Sequence, residues 1–273
     1  MLKLRILTAV VLIPVFIIAV LYLNTASFAV LMATVIALAA WEWAGIAGFS
    51  GSLKRGSYTL AVVTLLILTY IFRSGPLSVW ILSIAVLWWG LAMHLVLRYQ
   101  SHESLDFAAP AKALIGLLVL LPAWLSLLIL HAFEPDGVLL VIFLLVLIWS
   151  ADIAAYFAGR RWGKHKLCSR VSPGKSWEGV FGALAASVAL AFIYALYVQL
   201  QGLELLIFIT ICIITVLASI LGDLLESLMK RISNMKDSGS ILPGHGGVLD
   251  RIDSLTAALP IFLCSLWAWE KLV

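Results

Sequence analysis

The chain has 273 residues, of which 63% are hydrophobic and 12% charged, about half the charged share of an ordinary soluble domain. A water-soluble globule of this size cannot hide that much apolar surface, and a disordered chain is poor in apolar residues, so both classes are excluded. The net charge of +4 matters less than where the charges sit.

Nine apolar segments follow in chain order, at roughly 4–23, 27–48, 58–72, 77–97, 113–131, 137–157, 179–199, 203–221 and 254–270. A membrane-spanning helix needs about 20 apolar residues. The pattern therefore predicts an all-α fold, a polytopic integral membrane helix bundle of about nine transmembrane helices. The first segment follows Lys3 and Arg5, as a secretory leader does, but it runs from Ile6 to Leu23 without a small-residue cleavage site and is read as a retained helix. The third is short, with Arg73 placed to snorkel from its end. Cys168, Cys212 and Cys264 lie far apart and give neither a disulfide framework nor metal-ligand spacing. No internal repeat or low-complexity linker interrupts the chain, and residues 1–273 are expected to form a single membrane-embedded catalytic domain.

The charges orient the bundle. With the N-terminus in the cytoplasm, alternation puts 16 of the 18 basic residues on the cytoplasmic side and leaves Arg73 and Lys271 outside. So strong a positive-inside bias supports both the count and the orientation. Two cytoplasmic loops, 158–178 and 222–253, are far longer than a compact bundle requires, and long connections are where function concentrates.

Loop 158–178 carries Arg160, Arg161, Lys164, Lys166, Arg170 and Lys175 against Glu178 alone. Taken by itself it reads either as a topology signal that meets lipid headgroups or as a polyphosphate site. Lys175 follows Pro173-Gly174, read as a turn, just before the seventh helix, and a lysine at a helix N-terminus suits an anion. Gly174-Lys175-Ser176 looks like the end of a P-loop, but Ser169 stands where that motif needs glycine. Loop 222–253 is acidic despite its side of the membrane. Ser219, Asp223, Glu226 and Lys230 recur at one helical face, and Asp250, Asp253 and Ser254 share the first turn of the last helix. Between them, Pro243-Gly244-His245-Gly246-Gly247 must turn and can bring backbone N–H groups close to an anion. Facing carboxylates at a membrane surface are costly unless neutralised, and Mg²⁺ takes one or two carboxylates plus substrate phosphates. The competing reading is a solvated face with local ion pairs.

Asp152 sits near the cytoplasmic end of the sixth segment, at the depth of Asp223 and Asp250, and an intramembrane carboxylate is a functional candidate by default. Glu42, between Trp41 and Trp43, fits an interfacial aromatic belt at least as well as a catalytic role. His94 and His131 are read as interfacial or packing residues, whereas His245 lies in the glycine turn between the acidic faces. A carboxylate cluster beside a basic loop fits Mg²⁺-assisted phosphoryl or nucleotidyl transfer from a nucleoside triphosphate to a lipid.

The ordered run Ser227 to Arg231, Lys236-Asp237-Ser238-Gly239, Leu242 to Gly247 and Asp250-Arg251-Ile252-Asp253 resembles the signature of phosphatidate cytidylyltransferases (CDP-diacylglycerol synthases). Ser172 to Gly179 and Asp152 to Gly159 look like the same family. The resemblance implies a bacterial inner-membrane enzyme of phospholipid biosynthesis with a cytoplasmic site. It would join CTP and phosphatidic acid into CDP-diacylglycerol and pyrophosphate, as a homodimer among membrane lipids and without nucleic acid. It implies Mg²⁺, with room for a second metal ion, on Asp223 and Asp250, supported by Glu226, Asp253 and Asp152. It further implies phosphate contacts from Lys175, Lys230, Arg231, Lys236 and Arg251, and a pocket shaped by His245, Gly246 and Gly247. Two rivals remain at this point. A CTP-dependent lipid kinase would transfer the terminal phosphate to an alcohol. A transporter would use the acids for ion coupling, although no repeat or midplane cluster is visible.

Overall fold

A computed structural model of the chain describes residues 2–101, 104–241 and 246–270. Among them are nine helices: α1 (Leu2–Tyr22), α2 (Thr25–Ile46), α3 (Ser52–Ile71), α4 (Pro76–Gln100), α5 (Ala109–His131), α6 (Gly137–Trp162), α7 (Trp177–Val198), α8 (Gly202–Ile232) and α9 (Leu249–Glu270). Their boundaries follow local chemistry. Asn24 caps α2 by accepting from Ser27 N at 2.9 Å, Pro76 opens α4 where its missing N–H costs nothing, and Ser176 caps α7 by accepting from Gly179 N at 3.2 Å. Seven helices, α2 and α4 through α9, are long and apolar enough to cross a membrane. The helix that matches the short third segment, α3, opens on the polar stretch Ser52 to Ser57 and is correspondingly less apolar.

The two long loops are more ordered than the sequence pattern suggests. In the first, α6 continues to Trp162, and the rest folds as an antiparallel hairpin of β1 (Lys166–Cys168) and β2 (Ser172–Ser176), pairing Lys166 with Ser176 and Cys168 with Ser172. The hairpin turns at residues 169–171. Pro173 and Gly174 are therefore strand residues rather than the expected turn, which a two-stranded edge tolerates because it leaves one side unpaired. In the second, α8 runs on to Ile232. A 31-residue helix is about 46 Å long, well beyond the roughly 30 Å hydrocarbon core, so its last turns project past the apolar span.

Small residues let the site-bearing helices approach closely. A Cβ on Gly182 of α7 would lie 2.6 Å from Ala158 Cβ of α6, and one on Gly179 would lie 3.0 Å from Ala155 O. Polar ties then fix one end of the bundle. Trp43 Nε1 donates to Lys112 O at 2.8 Å, Tyr58 OH donates to Ala113 O at 3.0 Å, and the buried Lys112 Nζ donates to Ser233 Oγ at 2.9 Å. Ser233 Oγ in turn donates to Ile46 O at 2.7 Å. The C-terminal ends of α2, α6 and α8 thus meet the N-terminal ends of α5, α7 and α9. His131 packs as expected, stacked on Phe28 at 4.3 Å.

Candidate active site

A cavity of 1040 Å³ opens at that end of the bundle. Five elements contribute its charged wall: Asp152 and Arg160 from α6, Lys175 from β2, Asp223 and Lys230 from α8, Asp237 from the 233–248 connection, and Asp250, Arg251 and Asp253 from α9. The same cavity has an apolar side formed by Ile148, Ile153, Ile220 and Leu255. It can therefore take a charged group and a hydrocarbon chain at once.

Three ion pairs organise the charged wall. Lys175 Nζ lies 2.8 Å from Asp223 Oδ2, joining the hairpin to α8. Lys230 Nζ lies 2.6 Å from Asp250 Oδ1 and 3.0 Å from Glu226 Oε1, joining α8 to α9. Glu226 sits one turn below Lys230 and is 3% exposed. Its Oε2 has no hydrogen-bond partner among the described residues. Asp253 accepts from Ser254 N at 2.8 Å and lies within electrostatic reach of Asp223, Lys175 and Lys230. With Asp152 and Asp237, six carboxylates face the cations Arg160, Lys175, Lys230 and Arg251. That surplus of negative charge in partly desolvated surroundings favours recruitment of a further cation.

The carboxylate of Asp250 is held from several sides. Besides Lys230, its Oδ2 accepts from Gly247 N at 2.8 Å and from Ser238 N at 3.1 Å. Gly246 has φ +83°, and a Cβ there would lie 2.8 Å from Asp250 Oδ2, so this turn needs glycine on both counts. Behind Asp250 lies Glu42 of α2, 3% exposed. It accepts from Val248 N at 3.1 Å, Leu249 N at 2.8 Å and Ser238 Oγ at 3.2 Å. The aromatic-belt reading of Glu42 is thus replaced by a buried, fully engaged carboxylate. The available signal was an acid in an apolar helix, which burial forces to find partners.

The hairpin that carries Lys175 is docked on the end of α4. Gln100 Oε1 accepts from Arg170 N at 3.1 Å, and Gln100 Nε2 donates to Ser169 Oγ at 3.2 Å. The Arg170 guanidinium lies 4.8 Å from the centre of the Tyr99 ring. At the hairpin base, Glu178 accepts from Lys164 N and His165 N, each at 3.1 Å, and pairs with His165 Nδ1 at 2.7 Å. Gln100 was not evident as a site-building residue in sequence, because only the tertiary fold brings residue 100 against residue 170. Cys168, buried in the hairpin, has its thiol pushed up by that burial, which suits an inert packing residue.

The expected site residues divide into three groups. Asp152, Lys175, Asp223, Lys230, Asp250, Arg251 and Asp253 share the cavity. Others stand around it: Glu226 beneath Lys230, and Gly246 and Gly247 against Asp250. Arg231 turns toward the hairpin, with Nε donating to Val171 O at 3.4 Å, and Lys236 is exposed on the 233–248 connection. His245 lies outside the described residues.

The residues present fit a hard divalent ion. Asp223 and Asp250 both present carboxylate oxygens to one cavity, and the buried Glu226 Oε2 lacks a hydrogen bond among the described residues. No group of three or more His, Cys, Asp or Glu side chains among the described residues is placed to hold a metal ion by itself. An open site with few protein ligands matches Mg²⁺, which keeps waters and binds substrate phosphates.

The chain is similar to known proteins along nearly its whole length. The model of the cytidylyltransferase family matches residues 3–269. A phosphatidate cytidylyltransferase of Pseudomonas aeruginosa is 46% identical over 268 residues, covering 98% of each chain. The protein of that name from Haemophilus influenzae is 38% identical over 282 residues, covering 96% of this chain and 97% of its own. The one from Bacillus subtilis is 41% identical over 140 residues, half of this chain. With both the family model and full-length relatives matched, the chain belongs to the cytidylyltransferase family.

Proposed function

We propose that the protein is a phosphatidate cytidylyltransferase, joining CTP and phosphatidate into CDP-diacylglycerol and pyrophosphate. The observation that carries this reading is the single cavity in which Asp223, Asp250, Lys175 and Lys230 face an apolar wall. A triphosphate and a diacyl phosphate need those two surfaces side by side.

In the reaction, a phosphate oxygen of phosphatidate attacks the α-phosphorus of CTP. The bond from that phosphorus to the bridging oxygen of the β-phosphate breaks, and pyrophosphate leaves. The attacking group is already an anion, so the residues' work is positioning and charge neutralisation rather than proton removal. Lys175 and Lys230 would exchange part of their pairing with Asp223 and Asp250 for substrate phosphates, and Arg251 would add a third cation. Asp223 and Asp250 would hold Mg²⁺, with Glu226, Asp253 and Asp152 sustaining the negative field. When bound, the ion supplies charge neutralisation to the triphosphate and its departing pyrophosphate.

The positive-inside distribution of basic residues supports a cytoplasmic site with the N-terminus on the same side. The bacterial relatives support the inner membrane as its location, and the family resemblance supports a homodimer. The test uses purified protein in detergent with CTP labelled at the α-phosphate. Label should enter lipid, and pyrophosphate release should require CTP, Mg²⁺ and phosphatidate together. Label recovered only as soluble CDP would overturn the reading in favour of a lipid kinase.

A further inference from the structure

Glu42 does not line the cavity, yet it organises the segment that does. The helix α9 begins at Leu249, and the residue before it is Val248, whose side chain has no acceptor to cap the first turn. Glu42 supplies the missing acceptor from another helix. Its Oε1 takes Val248 N and its Oε2 takes Leu249 N, placing a carboxylate at the positive end of the α9 dipole. Oε2 also accepts from Ser238 Oγ, while Ser238 N donates to Asp250. One residue is thus held by Glu42 through its hydroxyl and holds Asp250 through its backbone. Gly247 continues the arrangement: its N–H donates to Asp250, and a Cβ on it would collide with both Glu42 and Ser238.

We propose that Glu42 is a positioning residue, fixing the start of α9 and its tie to Ser238 so that Asp250 is presented to the cavity in one orientation. The effect passes through Ser238 and the Val248–Leu249 backbone and not through contact with substrate. This role rests on the cytidylyltransferase reading for its kinetic consequence but not for its structural one.

The variant E42Q keeps the size of the side chain and loses one acceptor, turning an NH₂ toward donors. In E42Q the KM for CTP should rise at least fivefold while the KM for phosphatidate stays within twofold. A partly unfolded population would instead lower kcat with both KM values unchanged. In parallel, trypsin cleavage after the exposed Lys236 should accelerate at least fivefold, with cleavage after the exposed Lys54 of α3 unchanged. An unchanged CTP KM in an active enzyme, or equal acceleration at Lys54 and Lys236, would overturn the role. Should the wild-type protein show no CTP-dependent turnover, the functional reading fails, and the ratio of the two cleavage rates alone decides for or against Glu42. Should E42Q fail to insert, S238A removes a single donor to Glu42. A twofold rise in the CTP KM and in the Lys236 cleavage rate is then expected, and no change in either overturns the proposal.

Discussion

Lys175 Nζ on the β-hairpin reaches Asp223 Oδ2 on α8 at 2.8 Å, across 48 positions of sequence, with 24% and 31% of the two side chains exposed. A cation so placed is available to a phosphate without leaving the cavity. K175A should raise the KM for CTP by roughly 10- to 100-fold, the value of a charge-assisted hydrogen bond. Steady-state kinetics with varied CTP check it, and an unchanged KM and kcat would return the hairpin to a topology signal.

Asp250 collects Lys230 Nζ, Gly247 N and Ser238 N on one carboxylate. D250N keeps the shape and loses the charge. Turnover should fall by about 100- to 1000-fold, the scale of losing one preorganised electrostatic contribution. The protein should remain inserted and monodisperse in detergent, which size-exclusion chromatography reports.

Lys230 is 11% exposed and pairs with both Glu226 and Asp250. K230A strands two carboxylates and should cost about 3–5 kcal/mol of stability, as breaking a buried pair does. The double variant K230A/E226Q removes one stranded charge and should be more stable than K230A alone. Thermal midpoints of the purified proteins give the comparison.

Gln100 docks the hairpin without touching the cavity. Q100A should weaken CTP use in the same direction as K175A but by less, about tenfold or under, as suits loss of neutral hydrogen bonds. Combined with K175A it should add little, because both act through one side chain. A double-mutant cycle on kcat/KM for CTP measures the coupling.

Chelation should stop pyrophosphate release, and excess Mg²⁺ should restore it. The carboxylate set is open and oxygen-only, so Mn²⁺, which favours the same ligands, should substitute. Activity that persists after exhaustive chelation would remove the metal role from Asp223 and Asp250.

Much of this arrangement was legible in the chain itself. Runs of apolar residues located all nine helices, although α3, α6, α8 and α9 extend five to eleven positions beyond their apolar runs at one end, and the three- and four-residue spacing of Ser219, Asp223, Glu226 and Lys230 placed them on one face, because helical periodicity is local. The hairpin at 166–176 was not legible: its strands are three and five residues long, and their pairing depends on docking to Gln100. Glu42 was missed for a related reason. Its partners lie some 200 positions away, and two flanking tryptophans offered a simpler account. The continuation of α8 past its apolar span was legible only from the spacing of Ser219 to Lys230, because hydropathy ends where the membrane does, whereas the helix ends where its backbone hydrogen bonds do.

That uninterrupted α8 works as a ruler. Asp223 and Lys230 ride the same rod, seven positions apart, so their heights differ by about 10 Å of helical rise. Bending cannot alter that interval without breaking the backbone ladder. Any molecule bridging both must match a fixed gauge, and any change in the cavity's width has to come from the hairpin or from the stretch leading into α9.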